Sequence, residues 1–334
     1  MHDYHLMLLP GLLRAADGAR ASGFFLHVPF PAPELFVRLP WRRQIVDGLL
    51  GADVVSFQTE EFRDNFVQTC ARVRDDIGVD GDAIALPEGR VVRTAAHPIS
   101  IDAGDFAARA REPSIERRLR QLRRQFAGRR VVLGVDRLDY TKGIPERLRA
   151  IELLLELRSE LRRQLAFVQI AVPSRGEVRE YRDLRAQVEA LVGRINGRFT
   201  EPGADVPVHY LFRGITPERL LAYYRLADIC LVTPLRDGMN LVAKEFVTVQ
   251  AAVGGSGVLL LSEFTGAADQ LGGALLCNPF DLDGLAATIE YALELDESDR
   301  RQRLQRLAAT VARHDIFWWA EQELGEIEQA ADAA

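Results

Sequence analysis

Two basic side chains stand close together in a segment that links an apolar run to a helical stretch. Arg137 and Lys142 follow the run VVLGV, and Pro145 can occupy the first turn of the next helix. Two cations in such a loop, beside the positive end of a helix, form a cradle for a diphosphate. The segment is not a P-loop, because the pattern GxxxxGK[ST] is missing. The alternative interpretation is a surface ion pair of Arg137 with Asp136 or Asp139.

A second strand-to-helix connection, TPLRDGMNLVAKE, carries the most specific polar pattern of the chain. Asp237 and Gly238 predict a tight turn, after which the amides of residues 239–242 would open a helix and point at a ligand. Asp237 and Glu245 are eight residues apart, so a close pair of hydrolytic carboxylates is not evident in this segment. The alternative is a helix start stabilised only by local caps.

Three further polar residues stand next to apolar runs. Asp3 lies in the opening sequence HDYH, where a hydrogen-bonding role is favoured over a metal site. His27 follows the run GFFL and precedes a rigid proline-rich turn. It is either a core histidine with satisfied hydrogen bonds or a functional ring at a strand end. Arg175 follows another apolar run and would bind a second anion or form a salt bridge; its spacing favours neither.

The elements that must position these residues alternate between strands and helices. Continuous apolar runs predict strands buried on both faces, whereas residues such as Leu148, Ile151 and Leu155 recur at helical spacing. This order predicts an α/β fold with parallel, doubly wound sheets, whose ligands bind at the carboxyl ends of the strands. The predicted strands are 23–28, 53–57, 130–135, 167–172, 208–212, 229–233 and 257–261.

Composition narrows the function classes. The 334 residues are 48% hydrophobic and 27% charged, which is typical of a globular protein and not of a disordered one. The net charge of −6 argues against nucleic acid as a partner, and no apolar run is long enough to span a membrane. Cys70, Cys230 and Cys277 are far apart, which favours buried thiols in a reducing cytoplasm and provides no zinc spacing.

The arginine-rich stretch 109–130 is compatible with a nucleic-acid-binding patch. However, Ile115, Leu119, Leu122 and Phe126 recur at helical spacing behind Ser114, a good N-cap residue. The favoured interpretation is therefore a linker followed by an amphipathic helix with a solvated arginine face.

Several segments, taken in order, resemble those of the trehalose-6-phosphate synthases. They are HDYHLMLLP, FFLHVPFPAPELFVRLPWR, LLGADVVSFQ, HPISID, VDRLDYTKGIPERL, VPSRGEV, LVGRINGRF, LVTPLRDGMNLVAKEF and LSEFTGAA. The resemblance implies two Rossmann-like domains of the GT-B architecture that face a cleft. It also implies transfer of glucose, with retention, from a nucleotide-glucose of the UDP-glucose type to glucose 6-phosphate.

On the donor side, the resemblance implies that Arg137 and Lys142 hold the diphosphate and stabilise the leaving group. Glu245 matches the carboxylate that binds the ribose hydroxyls, and Ile215 lies where the backbone contacts the uracil. Further implied donor contacts are those of Asp237, Gly238, Met239, Asn240, Leu241, Val242, Ala243 and Lys244.

On the acceptor side, Asp3 resembles the aspartate that binds the acceptor sugar, and Arg175 the arginine that binds the phosphate of glucose 6-phosphate. His27 resembles the catalytic histidine at O6 of the donor glucose. The implied reaction is front-face transfer in which the donor phosphate acts as the base, which requires positioning and charge stabilisation rather than a protein nucleophile. No metal or cofactor is expected.

The resemblance also implies a domain plan. We expect a partial acceptor-side domain with a linker helix at 1–125, a nucleotide-sugar domain at 126–315, and a final helix at 316–334 that crosses back to the first domain. The family carries a stretch before HDYHL that this chain lacks, so we expect a fragment rather than a genuine short form. A non-catalytic nucleotide-sugar binder and a transferase with another phosphorylated acceptor remain alternatives, and the donor base and homo-oligomer formation stay open.

Overall fold

The computed structural model describes residues 1–17, 21–174 and 176–332. The chain forms two compact units, the first comprising Met1–Ser100 with His314–Ala334 and the second comprising Ile101–Arg313. The domain limits expected after residues 125 and 315 stay a prediction.

Eleven strands lie in the described part of the chain. They are β1 (Gly23–Phe25), β2 (Val54–Phe57), β3 (Gly78–Asp80), β4 (Ala83–Ala85), β5 (Val91–Ala96), β6 (Arg130–Arg137), β7 (Leu165–Val172), β8 (Val208–Phe212), β9 (Ile229–Val232), β10 (Val258–Ser262) and β11 (Leu275–Cys277).

The described α-helices number fifteen. They are α1 (Leu9–Asp17), α2 (Pro33–Phe36), α3 (Arg42–Leu49), α4 (Glu60–Val73), α5 (Ala103–Ala110), α6 (Pro113–Gln125), α7 (Ile144–Leu157), α8 (Leu161–Gln164), α9 (Arg179–Phe199), α10 (Pro217–Leu226), α11 (Leu241–Ala252), α12 (Ala267–Gln270), α13 (Leu282–Glu294), α14 (Glu297–Arg313) and α15 (Ile316–Asp332).

The first unit contains a five-stranded sheet in the order β1-β2-β5-β4-β3. Strands β1, β2 and β5 are parallel, which agrees with the predicted parallel sheet, although β5 was not among the predicted strands. Strands β3 and β4 form an antiparallel hairpin that the sequence analysis also missed. Strand β3 is exposed throughout and therefore lacks the apolar run used to recognise strands. The local signal was Gly81, whose φ of 58° in the two-residue turn is typical of tight hairpins.

The second unit contains a six-stranded, fully parallel sheet in the order β11-β10-β9-β6-β7-β8. Helix α7 packs against α9 and α13, and its predicted apolar face, with Leu148, Ile151 and Leu155, is buried. The chain runs from β6 outward to β8 and returns to β9 on the other side of β6. The strand order therefore reverses between β6 and β9, which is where open α/β sheets bind ligands.

Residues 101–126 differ in part from the prediction. Helix α6 exists and buries Ile115, Leu119 and Leu122, but it begins at Pro113 with Glu112 as its N-cap, so the N-cap assignment of Ser114 was wrong. The expected linker before it contains α5, whose first turn is capped because Asp102 accepts a hydrogen bond from the amide of Asp105 at 2.8 Å.

A fully buried guanidinium joins the central strands of the second unit. Arg147 of α7 donates from Nη1 to Asp136 at 2.7 Å and to Gln169 at 2.8 Å, and from Nε to Oγ1 of Thr233 at 2.9 Å. These partners lie on β6, on β7 and directly after β9. Burial raises the pKa of the Asp136 carboxyl, and the charge of Arg147 opposes that rise. One charged group thus connects the end of β6, the middle of β7 and the residue that follows β9.

Gly134→Ala tests the space around this guanidinium. A Cβ atom on Gly134 would overlap both Arg147 Nη1 and Gln169 Oε1. Because overpacked cores lose about 1–3 kcal/mol, we expect a lower free energy of unfolding in urea, followed by circular dichroism. The matched control is Gly193→Ala in α9, where the added methyl meets nothing within 4 Å and should stabilise the helix by about 0.5–1 kcal/mol. Equal stability of the two variants would contradict the prediction.

Arg147→Met tests the buried charge. The substitution leaves the Asp136 carboxyl buried without its cation, so we expect a loss of about 3–5 kcal/mol in the free energy of unfolding. Adding Asp136→Asn removes the buried carboxylate that has lost its cation, and the double variant should be more stable than Arg147→Met alone. If the loss in the free energy of unfolding of the double variant equals the sum of the losses of the two single variants, the pair is not coupled.

Candidate functional site

Two loops meet at the carboxyl ends of β6 and β9 and form the strand-end site of the second unit. The amide of Leu235 donates to the carbonyl of Thr141 at 2.7 Å. Gly143, with a φ of 64°, lies so close to the carbonyl of Thr233 that a Cβ atom there would overlap it. Only glycine provides both the left-handed conformation and this close backbone approach. The structure thereby brings together the two segments that the sequence analysis singled out.

Lys142 forms an ion pair across these loops. Its Nζ lies 2.6 Å from Oδ2 of Asp237, and both side chains are largely buried. The same carboxylate accepts hydrogen bonds from the side chain of Asn240 and from the amide of Gly238, both at 3.0 Å. The charges of the site are thus fixed in position by side chains 95 residues apart in the sequence.

Arg137 ends β6 with an exposed side chain. The alternative in which it pairs with Asp136 or Asp139 does not hold, since Asp136 pairs with Arg147 and Asp139 has other partners. Among residues 1–17, 21–174 and 176–332, no ion pair or hydrogen bond of the Arg137 side chain is found. The strand-end site therefore presents a guanidinium that is available to an anion.

Asp139 fixes the loop between these two cations. Its carboxylate accepts hydrogen bonds from the amide and hydroxyl of Thr141, at 2.9 and 2.8 Å, and from the hydroxyl of Tyr181 at 3.1 Å. Burial acts to raise the pKa of Asp139, but these hydrogen bonds prevail and the pKa is lowered. The carboxylate therefore stays ionised and holds the turn in which Lys142 lies.

Helix α11 begins in the strand-end site. Asn240, with a φ of 73°, precedes its first turn, and its side chain does not cap the helix. The alternative of a helix start held only by local caps is therefore not what the structure shows. The first amides of α11 have no partner within the helix, so they can donate to an anion. Met239 lies before the helix, and its carbonyl accepts a hydrogen bond from the hydroxyl of Thr265 at 2.6 Å.

The remaining predicted donor residues lie in different surroundings. The Glu245 carboxylate on α11 accepts a hydrogen bond from the hydroxyl of Tyr224 at 2.7 Å. The Lys244 side chain turns into the protein, donates to Gln270 at 2.7 Å, and has its pKa lowered to about 7 by burial. Ile215 lies in the loop after the edge strand β8, two strands away from β6.

Sequence reasoning missed Arg147 and Tyr224. The signal for Arg147 was its place on the helical face that also carries Leu148 and Ile151, where a charged residue is unexpected. Tyr224 stands at helical spacing from the apolar Leu220 and Leu221, and nothing in that spacing indicates that its hydroxyl contacts Glu245.

The first unit places Asp3 and His27 at one end of β1. The Asp3 amide donates to the carbonyl of Phe25 at 2.8 Å, and its Oδ1 is buried with no hydrogen-bond partner in the described part of the chain. The rings of His2 and His27 stack, with Nδ1 of His2 3.2 Å from Nε2 of His27. Burial lowers the pKa of both imidazoles, which favours their neutral forms. Gln58 lies 3.5 Å from the other nitrogen of His27.

Arg175 lies outside the described residues, so its predicted contact with a phosphate stays a prediction. The three cysteines are buried and free, as expected. Within the described ranges, no group of three or more His, Cys, Asp or Glu residues could hold a metal ion. In the same residues, no helix is both long and apolar enough to cross a membrane.

Comparison with known proteins places this geometry in a family. The model of glycosyltransferase family 20 matches residues 1–329. The trehalose-6-phosphate synthase of Mycolicibacterium smegmatis is 45% identical over 328 residues, which cover 96% of this chain and 65% of that protein. The UDP-forming alpha,alpha-trehalose-phosphate synthase A of Dictyostelium discoideum is 39% identical over 336 residues, covering 99% of this chain and 44% of that protein.

Solved structures show the same fold. A structure of the trehalose-6-phosphate protein from E. coli, bound with UDP-2-fluoro glucose, matches with a TM-score of 0.92 and 37% identity, covering 98% of this chain and 72% of that chain. The UDP-forming synthase of Burkholderia xenovorans in complex with glucose-6-phosphate matches with a TM-score of 0.92 and 36% identity, covering 98% and 71%. The predicted α/β class with two Rossmann-like sheets is thus confirmed.

The chain spans about two thirds or less of the length of these curated relatives, and the family match extends over nearly all of it. The chain belongs to glycosyltransferase family 20.

Proposed function

We propose that the protein transfers glucose from UDP-glucose to glucose 6-phosphate, with retention, to give trehalose 6-phosphate. The observation that carries the proposal is the strand-end site, where exposed Arg137, paired Lys142 and the open amides of α11 converge at the switch point of a parallel sheet. This arrangement suits a diphosphate. The names of the relatives and the ligands in the solved structures support the same donor and acceptor.

In this proposal the donor diphosphate lies against Arg137, Lys142 and the first amides of α11. As the bond to glucose breaks, negative charge grows on the leaving phosphate, and the two cations stabilise that charge without reorganising. The leaving phosphate takes the proton of the acceptor hydroxyl, so no protein nucleophile is needed. Asp237 binds hydroxyls of the donor sugar, Glu245 the ribose hydroxyls, and the backbone at Ile215 the uracil.

For the acceptor, we propose that Asp3 binds the sugar of glucose 6-phosphate and that Arg175 binds its phosphate. His27 acts at O6 of the donor glucose. The buried Oδ1 of Asp3, which has no hydrogen-bond partner among the residues that the structure describes, supports a ligand contact, because buried oxygens ordinarily have such partners. We further propose a cytoplasmic location, which the three buried free thiols support.

The reaction can be tested by incubating the full chain with UDP-glucose and glucose 6-phosphate. We expect release of UDP only when both substrates are present, together with an α,α-linked product detectable by NMR. Omission of glucose 6-phosphate is the control. UDP release that does not depend on the acceptor would contradict the proposal, and binding of UDP without turnover would favour the non-catalytic alternative.

Substitution of the two cations tests the leaving-group role. We expect Arg137→Ala and Lys142→Ala each to reduce turnover by about 10²–10³-fold, because each removes charge stabilisation in the transition state. UDP affinity, measured by calorimetry, should fall as well. Arg163→Ala, at an exposed arginine on α8, is the matched control and should leave both quantities unchanged. Unaltered turnover in the first two variants would refute the role.

A further inference from the structure

A buried tyrosine hydroxyl contacts the carboxylate assigned to the ribose. Tyr224 is fully buried on α10, and its hydroxyl donates to Oε2 of Glu245 on α11 at 2.7 Å. Because a buried hydroxyl needs a partner, this hydrogen bond fixes the relative position of the two helices at this point.

The Glu245 carboxylate has little else to orient it. Within the described residues, Tyr224 provides the one hydrogen bond found for this carboxylate, and Oε1 has no partner. The side chain is half-buried, and burial raises the pKa of Glu245 while the tyrosine hydroxyl opposes that rise. A half-buried carboxylate with one oxygen fixed leaves its other oxygen available to accept a hydrogen bond from a ligand hydroxyl.

Tyr224 is itself held in place by Gln250 of α11. The Gln250 side-chain amide donates to the carbonyls of Tyr224 and Ala227 at 2.7 and 2.9 Å. The Phe246 ring packs edge-on against the Tyr224 ring, with centroids 6.3 Å apart. The tyrosine is therefore a rigid support rather than a side chain free to follow Glu245.

We propose that Tyr224 is a positioning residue that sets the Glu245 carboxylate for recognition of the ribose hydroxyls of the donor. The proposal rests on the proposed function, since it assigns a nucleotide to the strand-end site. Loss of the hydroxyl frees the carboxylate to rotate and weakens the ribose contact. The contact lies away from the bond that breaks, so donor affinity changes more than the rate of the chemical step.

The experiment compares UDP with 2′,3′-dideoxyuridine 5′-diphosphate, which lacks the ribose hydroxyls, by calorimetry on the full chain. We expect wild-type protein to bind UDP at least about tenfold more tightly than the dideoxy nucleotide, because hydrogen bonds to a charged group are stronger than those between neutral groups. Tyr224→Phe should weaken UDP binding about five- to tenfold and leave the dideoxy affinity unchanged. Glu245→Gln should also lose the preference for UDP over the dideoxy nucleotide.

Tyr223→Phe is the matched control, because Tyr223 is also buried on α10 and is not the residue bonded to Glu245. It should retain full discrimination. If Tyr224→Phe weakens both nucleotides equally, or neither, the positioning role is overturned while wild-type transfer still supports the proposed function. If wild-type protein binds neither nucleotide, the proposed function and this inference fall together.

Discussion

The buried guanidinium of Arg147 is the constraint on which the strand-end site depends. A charge fully removed from water is tolerated only when its hydrogen bonds and its countercharge are all in place. Asp136, Gln169 and Thr233 provide them, and these partners belong to β6, β7 and the end of β9. A shift of any of these groups would leave a buried charge without a partner, which costs several kcal/mol, so the three strands stay in fixed register. Gly134 leaves the space that the guanidinium fills.

The charges of the strand-end site are stabilised by the same fixed framework. Without a countercharge, the positive charges of Lys142 and Arg137 would repel each other. Asp237 neutralises the lysine at 2.6 Å. The hydrogen bond from Leu235 to Thr141 keeps the two loops at the distance this pair requires. The proposed diphosphate would therefore bind to groups that are already in place, and such preorganisation is what charge stabilisation in a transition state needs.

The sequence predicts the strands and loops of this site because strands buried on both faces in a parallel sheet read as continuous apolar runs. It also predicts helix α6 from Ile115 and Leu119. It does not predict the exposed strand β3, nor that Glu112 rather than Ser114 precedes α6, because single local residues compete weakly with tertiary packing. The sequence also does not predict the pairings of Lys142 with Asp237 and of Tyr224 with Glu245, since they depend on the strand order and on loop conformation.

Helix α11 connects the two ends of the proposed donor site. Its first amides, at Leu241 and beyond, lie at the proposed phosphate-binding end, and Glu245 follows one turn later, about 5–6 Å along the axis. A rigid helix thus fixes the separation between an anion contact and a carboxylate. The first end is held by the framework around Arg147 and the second by Tyr224 and Gln250. In the proposed site, a nucleotide would be selected only if its phosphates and its ribose hydroxyls match that separation together, so neither contact would need to be strong alone.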